Sequence, residues 1–164
     1  MKKFFKLVAV LTALAMAGFG LTSCSDDDDD DNNSVTYNLI KNDVSTSTVA
    51  AKYVGTISGT NASGYPGTGT DTVYFYADNK WKEDVSITIT DGSNKATLMY
   101  TAYSGTYVIT SGDWTSGSVS LTRTKKYSPS SDYSTLTEKD TIGSGTLTIT
   151  NSTFTISGVT FTKQ

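Results

Sequence analysis

Glu138 and Asp140 stand two apart in "STLTEKDT", and a carboxylate pair is the strongest chemical signal the chain offers. On a strand, residues i and i+2 share one face about 7 Å apart. That separation falls in the range inverting glycosidases use, about 6.5–9.5 Å. Every such pair on a strand has this spacing, so a solvated, charged strand face accounts for it better. Glu83 and Asp84 are adjacent and should point to opposite faces. The chain contains no histidine and a single cysteine, Cys24. Ser-His-Asp and Cys-His nucleophile systems are therefore excluded, as are ordinary zinc sites. Asp91-Gly92-Ser93-Asn94 supplies too few spaced oxygen donors for a calcium loop. The glycine-rich stretch "SGTNASGYPGTGTD", residues 58–71, lacks the Gly-Lys-Ser/Thr ending of a phosphate-binding loop. The expectation is a non-enzymatic protein with no catalytic residues, cofactor or metal.

Aromatic residues give the alternative, a binding surface. Tyr65, Tyr74, Tyr76 and Trp81 could stack on a sugar or line a pocket. Tyr74 and Tyr76 alternate with Val73 and Phe75, which places the two tyrosines on the face opposite the apolar one. Residues 58–71 read as a long loop that could carry Tyr65 to the lip of an opening. Residues 126–133, "KYSPSSDY", read as a second loop with aromatic edges. Tyr65, Tyr74, Tyr76 and Trp81 are thus the candidate binding rim, and Trp114 is a candidate core residue. Suitable ligands are a small apolar molecule, a glycan or a surface protein.

Cys24 has another role. Lys2, Lys3 and Lys6 precede an apolar stretch from Leu7 to Leu21, the layout of a secretory signal too short for a permanent membrane span. Leu21-Thr22-Ser23-Cys24 resembles the bacterial lipobox, and the resemblance implies lipidation of Cys24 after cleavage before it. Acyl chains at one cysteine hold a protein on a membrane, at about 0.8 kcal/mol per buried methylene. Asp26, Asp27, Asp28, Asp29, Asp30 and Asp31 repel one another and bury nothing, so they act at least as a solvated spacer. Such a run behind a lipidated cysteine resembles the surface-export signal of Bacteroidetes lipoproteins. It implies an outer-membrane protein facing the cell exterior.

The leader and the acidic run dominate the charge. Lys2, Lys3 and Lys6 are three of 13 basic residues and Asp26–Asp31 are six of 16 acidic ones, so residues 32–164 carry ten of each. A neutral domain has no footprint for nucleic acid. Arg123, Lys125 and Lys126 form a local basic spot, expected at the wet end of a strand.

The elements that must position these residues are strands. Val73/Phe75, Val85/Ile87/Ile89, Leu98/Tyr100, Tyr107/Ile109, Val119/Leu121, Leu147/Ile149, Phe154/Ile156 and Val159/Phe161 all alternate with polar residues. Period-two alternation marks antiparallel sheet wet on one side. Asp91-Gly92 between two such runs signals a hairpin. Ser104–Arg123 and Ser144–Lys163 align forty residues apart, with eight of twenty positions identical, and predict a repeated hairpin. About nine short strands fit an all-β, antiparallel up-and-down meander closing into a small barrel of about 8–10 strands; a β-sandwich is the alternative. "YVGTISGT", "DTVYFYADNKWKED", "SGTYVIT", "SVSLTRT" and "GTLTI" together resemble the small lipocalin-like barrels of bacterial lipoproteins, although Gly55-Thr56-Ile57 lacks the tryptophan of the lipocalin Gly-x-Trp. The expected organisation is a signal peptide at 1–23, a lipidated cysteine and acidic tether at 24–48, and the lipocalin-like barrel at 49–164. Ile57, Phe75, Ile87, Ile89, Leu98, Tyr107, Leu121, Leu147 and Phe161 are expected to fill the barrel, leaving any binding site at its rim.

Overall fold

The computed structural model describes residues 34–60, 64–91 and 94–164. Cys24 and Asp26–Asp31 lie outside them. The described chain is all-β. Its strands are β1 (Ser34–Leu39), β2 (Val49–Thr60), β3 (Pro66–Tyr76), β4 (Lys80–Asp91), β5 (Asn94–Gly112), β6 (Gly117–Pro129), β7 (Leu136–Ile149), β8 (Thr153–Ile156) and β9 (Val159–Lys163). They make one strongly curled sheet in the order β7-β6-β5-β4-β3-β2-β9-β8, every neighbour in that path antiparallel. The two ends of the path meet at a single bridge, Thr150 with Thr153. This is the expected meander, curled toward a small barrel.

The inner face carries the alternating apolar residues. Phe75, Ile87, Ile89, Leu98, Tyr107, Leu121, Leu147 and Phe161 are buried as expected, while Ile57 is half-buried. At the end holding the β3–β4 and β5–β6 turns, aromatic rings fill the space. Phe75 packs against Tyr107 (5.1 Å between ring centres), Trp114 (4.7 Å) and Tyr53 (6.1 Å), and Phe154 lies 4.9 Å from both Tyr53 and Phe161. Trp114 therefore packs against the core while staying half-buried. The Asp113 carboxylate accepts from the backbone N–H groups of Thr115 and Ser116, shaping the turn that delivers it.

Three expectations need correction. The tether does not extend to residue 48, because Ser34–Leu39 pairs in parallel with Lys95–Tyr100 along the half of the β5 edge that β6 does not occupy. Residues 58–71 are not a long loop: β2 and β3 stay paired as far as Thr60 and Pro66. Gly69 belongs in that ladder, since a Cβ there would stand 1.9 Å from the carbonyl oxygen of Ser86. The repeat keeps neither its hairpin nor all its buried positions: Leu121 and Phe161 are both buried, but Ile109 is exposed where Ile149 is buried. Trp114 sits in the β5–β6 turn, whereas its counterpart Phe154 is on β8, which pairs with β9, and β9 returns to β2 rather than to β7.

The packing sets a contrast that can be measured. Phe75→Ala should lower unfolding free energy by about 3–5 kcal/mol, because three rings lose their common neighbour. Ile142→Ala, at a side chain 96% exposed, should change it by less than about 0.5 kcal/mol. Urea unfolding followed by tryptophan fluorescence checks both.

Candidate functional site

The segment between β1 and β2 builds a site that no local pattern announces. Residues 40–48 leave the edge of β5 and cross the outer face of the sheet to reach β2. The Lys41 N–H donates to Thr101 Oγ1 at 2.8 Å, Lys82 Nζ donates to the Lys41 carbonyl at 3.0 Å, and the Ala77 N–H donates to the Thr48 carbonyl at 2.9 Å. Ser45 Oγ donates to Asp78 at 2.9 Å. This strap buries polar residues on what would otherwise be a wet face: Thr72, Lys82, Asp84 and Thr101 are all buried.

Between strap and sheet lies an open cleft of about 460 Å³. Ile40, Asn42 and Val49 form one wall; Tyr74 and Tyr76 of β3, with Lys82 and Asp84 of β4, form the other. The two tyrosine rings are stacked, 6.4 Å between centres and 22° between planes. Lys82 Nζ lies 5.2 Å and Lys52 Nζ 6.0 Å from the centre of the Tyr74 ring. Lys82 also pairs with Asp84 at 2.7 Å, and Asp84 accepts from the Thr101 hydroxyl at 2.7 Å. Burial raises the Asp84 pKa against the pull of Lys82. Burial and the Asp84 charge together raise Tyr74, and push Tyr76 up to about 12, so both phenols remain protonated donors. Thr70, Thr72 and Ser86 add hydroxyls to the lining. The cleft thus combines aromatic rings, neutral donors and acceptors, and charges that are already paired with each other.

The four candidate rim residues are divided. Tyr74 and Tyr76 share this cleft. Trp81 points to the opposite, inner face, where it is buried and its indole N–H donates to the Thr122 carbonyl at 3.3 Å. Tyr65 is 37% exposed at the β2–β3 turn. The 126–133 stretch closes around Asp132, which accepts from Ser130 and Ser134 and is held down to about 2 by those bonds. Tyr133 is buried there against Tyr37, 5.3 Å between ring centres, and lines no opening with Tyr65.

The carboxylates are also redistributed. Glu138 and Asp140 are exposed, and Lys125 Nζ bridges them at 2.7 and 2.6 Å, as suits a solvated strand face. The acidic residues that do come together are Asp71 and Glu83, 1% and 4% exposed, side by side on the inner face and close enough to perturb each other. Glu83 and Asp84 point to opposite faces as expected. Arg123 is not at a wet strand end: its guanidinium lies over the Tyr103 ring at 4.6 Å and attracts Glu83. No family of known proteins, curated relative or solved structure matches the chain.

The paired charges of the cleft predict a double-mutant signature. Lys82→Met should destabilise the protein by about 3–5 kcal/mol, because Asp84 is left buried without its counter-ion. Adding Asp84→Leu should restore most of that loss, as hydrophobic replacement of a whole buried pair commonly does. Equal losses in the single and double variants, measured by urea unfolding, would exclude this account of the wall.

Proposed function

We propose that this protein is a lipid-anchored lipoprotein of the outer membrane, facing the cell exterior, whose curled β-domain is a non-enzymatic binding module. The anchor rests on the lipobox resemblance at Leu21–Cys24 and the export label on the acidic run Asp26–Asp31. The observation that carries the binding reading is the cleft under the strap. Its volume lies within the usual range for small-ligand sites, about 300–1,000 Å³. Its ligand is small, uncharged and rich in hydroxyls, as a glycan fragment is. Stacked tyrosines offer a flat apolar surface, and Thr70, Thr72, Ser86 and Asn42 offer hydrogen bonds, while the Lys82–Asp84 pair leaves little net charge to attract an ion. A lipocalin-type ligand inside the barrel is disfavoured, since Phe75, Tyr107 and Trp114 occupy that space. The same filling supports a second reading, a structural or antigenic surface protein with no small-molecule ligand.

The anchor is tested in the producing cell. Cys24→Ala should abolish fatty-acid labelling and release the protein from membranes. Replacing Asp26–Asp31 with asparagine should keep the label but remove cleavage by external protease on whole cells. Unlabelled, soluble wild type would refute the anchor, and unchanged protease sensitivity would reduce the run to a spacer.

The cleft is tested by titrating the protein with neutral di- and trisaccharides and following backbone amide shifts. Binding should move Tyr74, Tyr76 and strap resonances and weaken at least tenfold in Tyr74→Ala. Shifts elsewhere, or none across the panel, would favour the filled structural protein.

A further inference from the structure

The binding reading leaves the most unusual feature of the interior unused. Asp71 of β3 and Glu83 of β4 are diagonal neighbours on the inner face, since Val73 pairs with Glu83 and Asp71 with Val85. Each carboxyl keeps one oxygen, Asp71 Oδ1 and Glu83 Oε1, buried without a hydrogen-bond partner. The groups facing them are Tyr100 and Tyr103 from β5 and Arg123 from β6, with Asp84 behind them on the outer face of β4. That is one cation opposite two buried acids. With both acids ionised, a net negative charge would sit in the core, an arrangement proteins avoid by retaining a proton.

We propose that Asp71 and Glu83 form a proton latch, in which a retained proton joins β3 to β4 inside the curled sheet and its loss as the surroundings turn alkaline loosens the domain reversibly. Burial supports it by pushing Asp71 up to about 7 and holding Glu83 well above the usual carboxylate range, with Asp71 adding to the rise of Glu83 and Arg123 opposing it. Both folded values exceed the unfolded ones, so the native state keeps protons that the unfolded chain has already released. The stabilisation is therefore complete below pH about 4 and is lost as pH rises through about 7 and beyond. Among the shifted carboxylates only Asp84, held by Lys82 and Thr101 on the outer face, is raised alongside the pair. The chain has no histidine, and the exposed carboxylates Asp78, Asp113, Asp132 and Asp140 are all shifted downward, out of the neutral range. Lys125 and the buried tyrosines are shifted upward, away from it.

The test is urea unfolding of the full chain at pH 5, 6, 7 and 8, read by tryptophan fluorescence, with Trp81 two residues from Glu83 on the same strand face. The folding equilibrium constant should fall about tenfold per pH unit between 5 and 7 for each proton retained. Asp71→Asn keeps the shape and removes one of the two titrating carboxyls; it should make the profile shallower and exceed wild type in stability at pH 8. Glu83→Gln should do the same and serves if the first variant does not fold. Carboxyl carbon shifts of the wild type report the titration without any mutation and should place the transition of the pair near or above pH 7. A wild-type profile flat from pH 5 to 8, an Asp71→Asn variant with the wild-type slope, or a pair titrating below pH 5 would each overturn the latch.

Discussion

The inner face of a sheet this strongly curled has to be filled, and Phe75 is the side chain around which the filling is organised. Its ring touches Tyr53 of β2, Tyr107 of β5 and Trp114 of the β5–β6 turn. The Tyr53 hydroxyl donates to the Trp114 carbonyl, and the Tyr107 hydroxyl donates to the Tyr76 carbonyl at 2.8 Å. Each large ring thus buries apolar area while its polar tip satisfies a backbone acceptor, which is how tyrosine can serve in a core. Phe154 and Phe161 extend the packing to β8 and β9. The ends of the sheet are consequently drawn together by side chains, although their backbones share only the bridge at Thr150 and Thr153.

Curling also needs places where the strands gain residues unequally. Ala102 is extra on β5 against β4, Thr124 is extra on β6 against β5, and β7 sets Thr141 and Ile142 against Thr124 alone. These irregularities run across four strands as a connected row, and bulges of this kind bend and twist a sheet locally. Gly105 lies beside the row because a Cβ there would stand 1.9 Å from the Thr122 carbonyl oxygen. The row explains two exposures that alternation alone does not. Ile142 is thrown into solvent at a bulge, and Ala102 is buried between the equally buried Thr101 and Tyr103. Asp71 and Glu83 sit against the inner side of this row, with Arg123 at its β6 end.

Most of the sheet was legible because its signal is local. Val85, Ile87 and Ile89, or Leu147 and Ile149, alternate strictly, and period two has one simple meaning in a curled sheet. What escaped was non-local. Ser34–Leu39 alternates too, but its partner lies sixty residues away in a parallel register that no turn fixes. The strap has no periodicity, so nothing local marks Thr72, Lys82 and Asp84 as covered. Tyr74 and Tyr76 were recognisable as a pair because they oppose Val73 and Phe75, while Trp81 was separated from them by one residue of register across the β3–β4 turn: it pairs with Phe75, not with Tyr74 or Tyr76. Asp71 and Glu83 look like surface residues in "TDTVYF" and "WKEDVS", and only the pairing of β3 with β4 sends both inward.

Outer cleft and inner acid pair are two sides of one strand pair. Val73–Glu83 and Asp71–Val85 face the core, while Tyr74–Lys82 and Thr72–Asp84 face the strap, in strict alternation along β3 and β4. A displacement of either strand would therefore alter both environments. The strap ties into the same pair through Lys82 and into β5 through Thr101. The chain follows β1, which packs on β5 and against the core through Tyr37 and Leu39, and then the strap before it reaches β2. The cleft thus depends on the ties of the strap to β4 and β5, whereas the inner face is filled by the rings around Phe75.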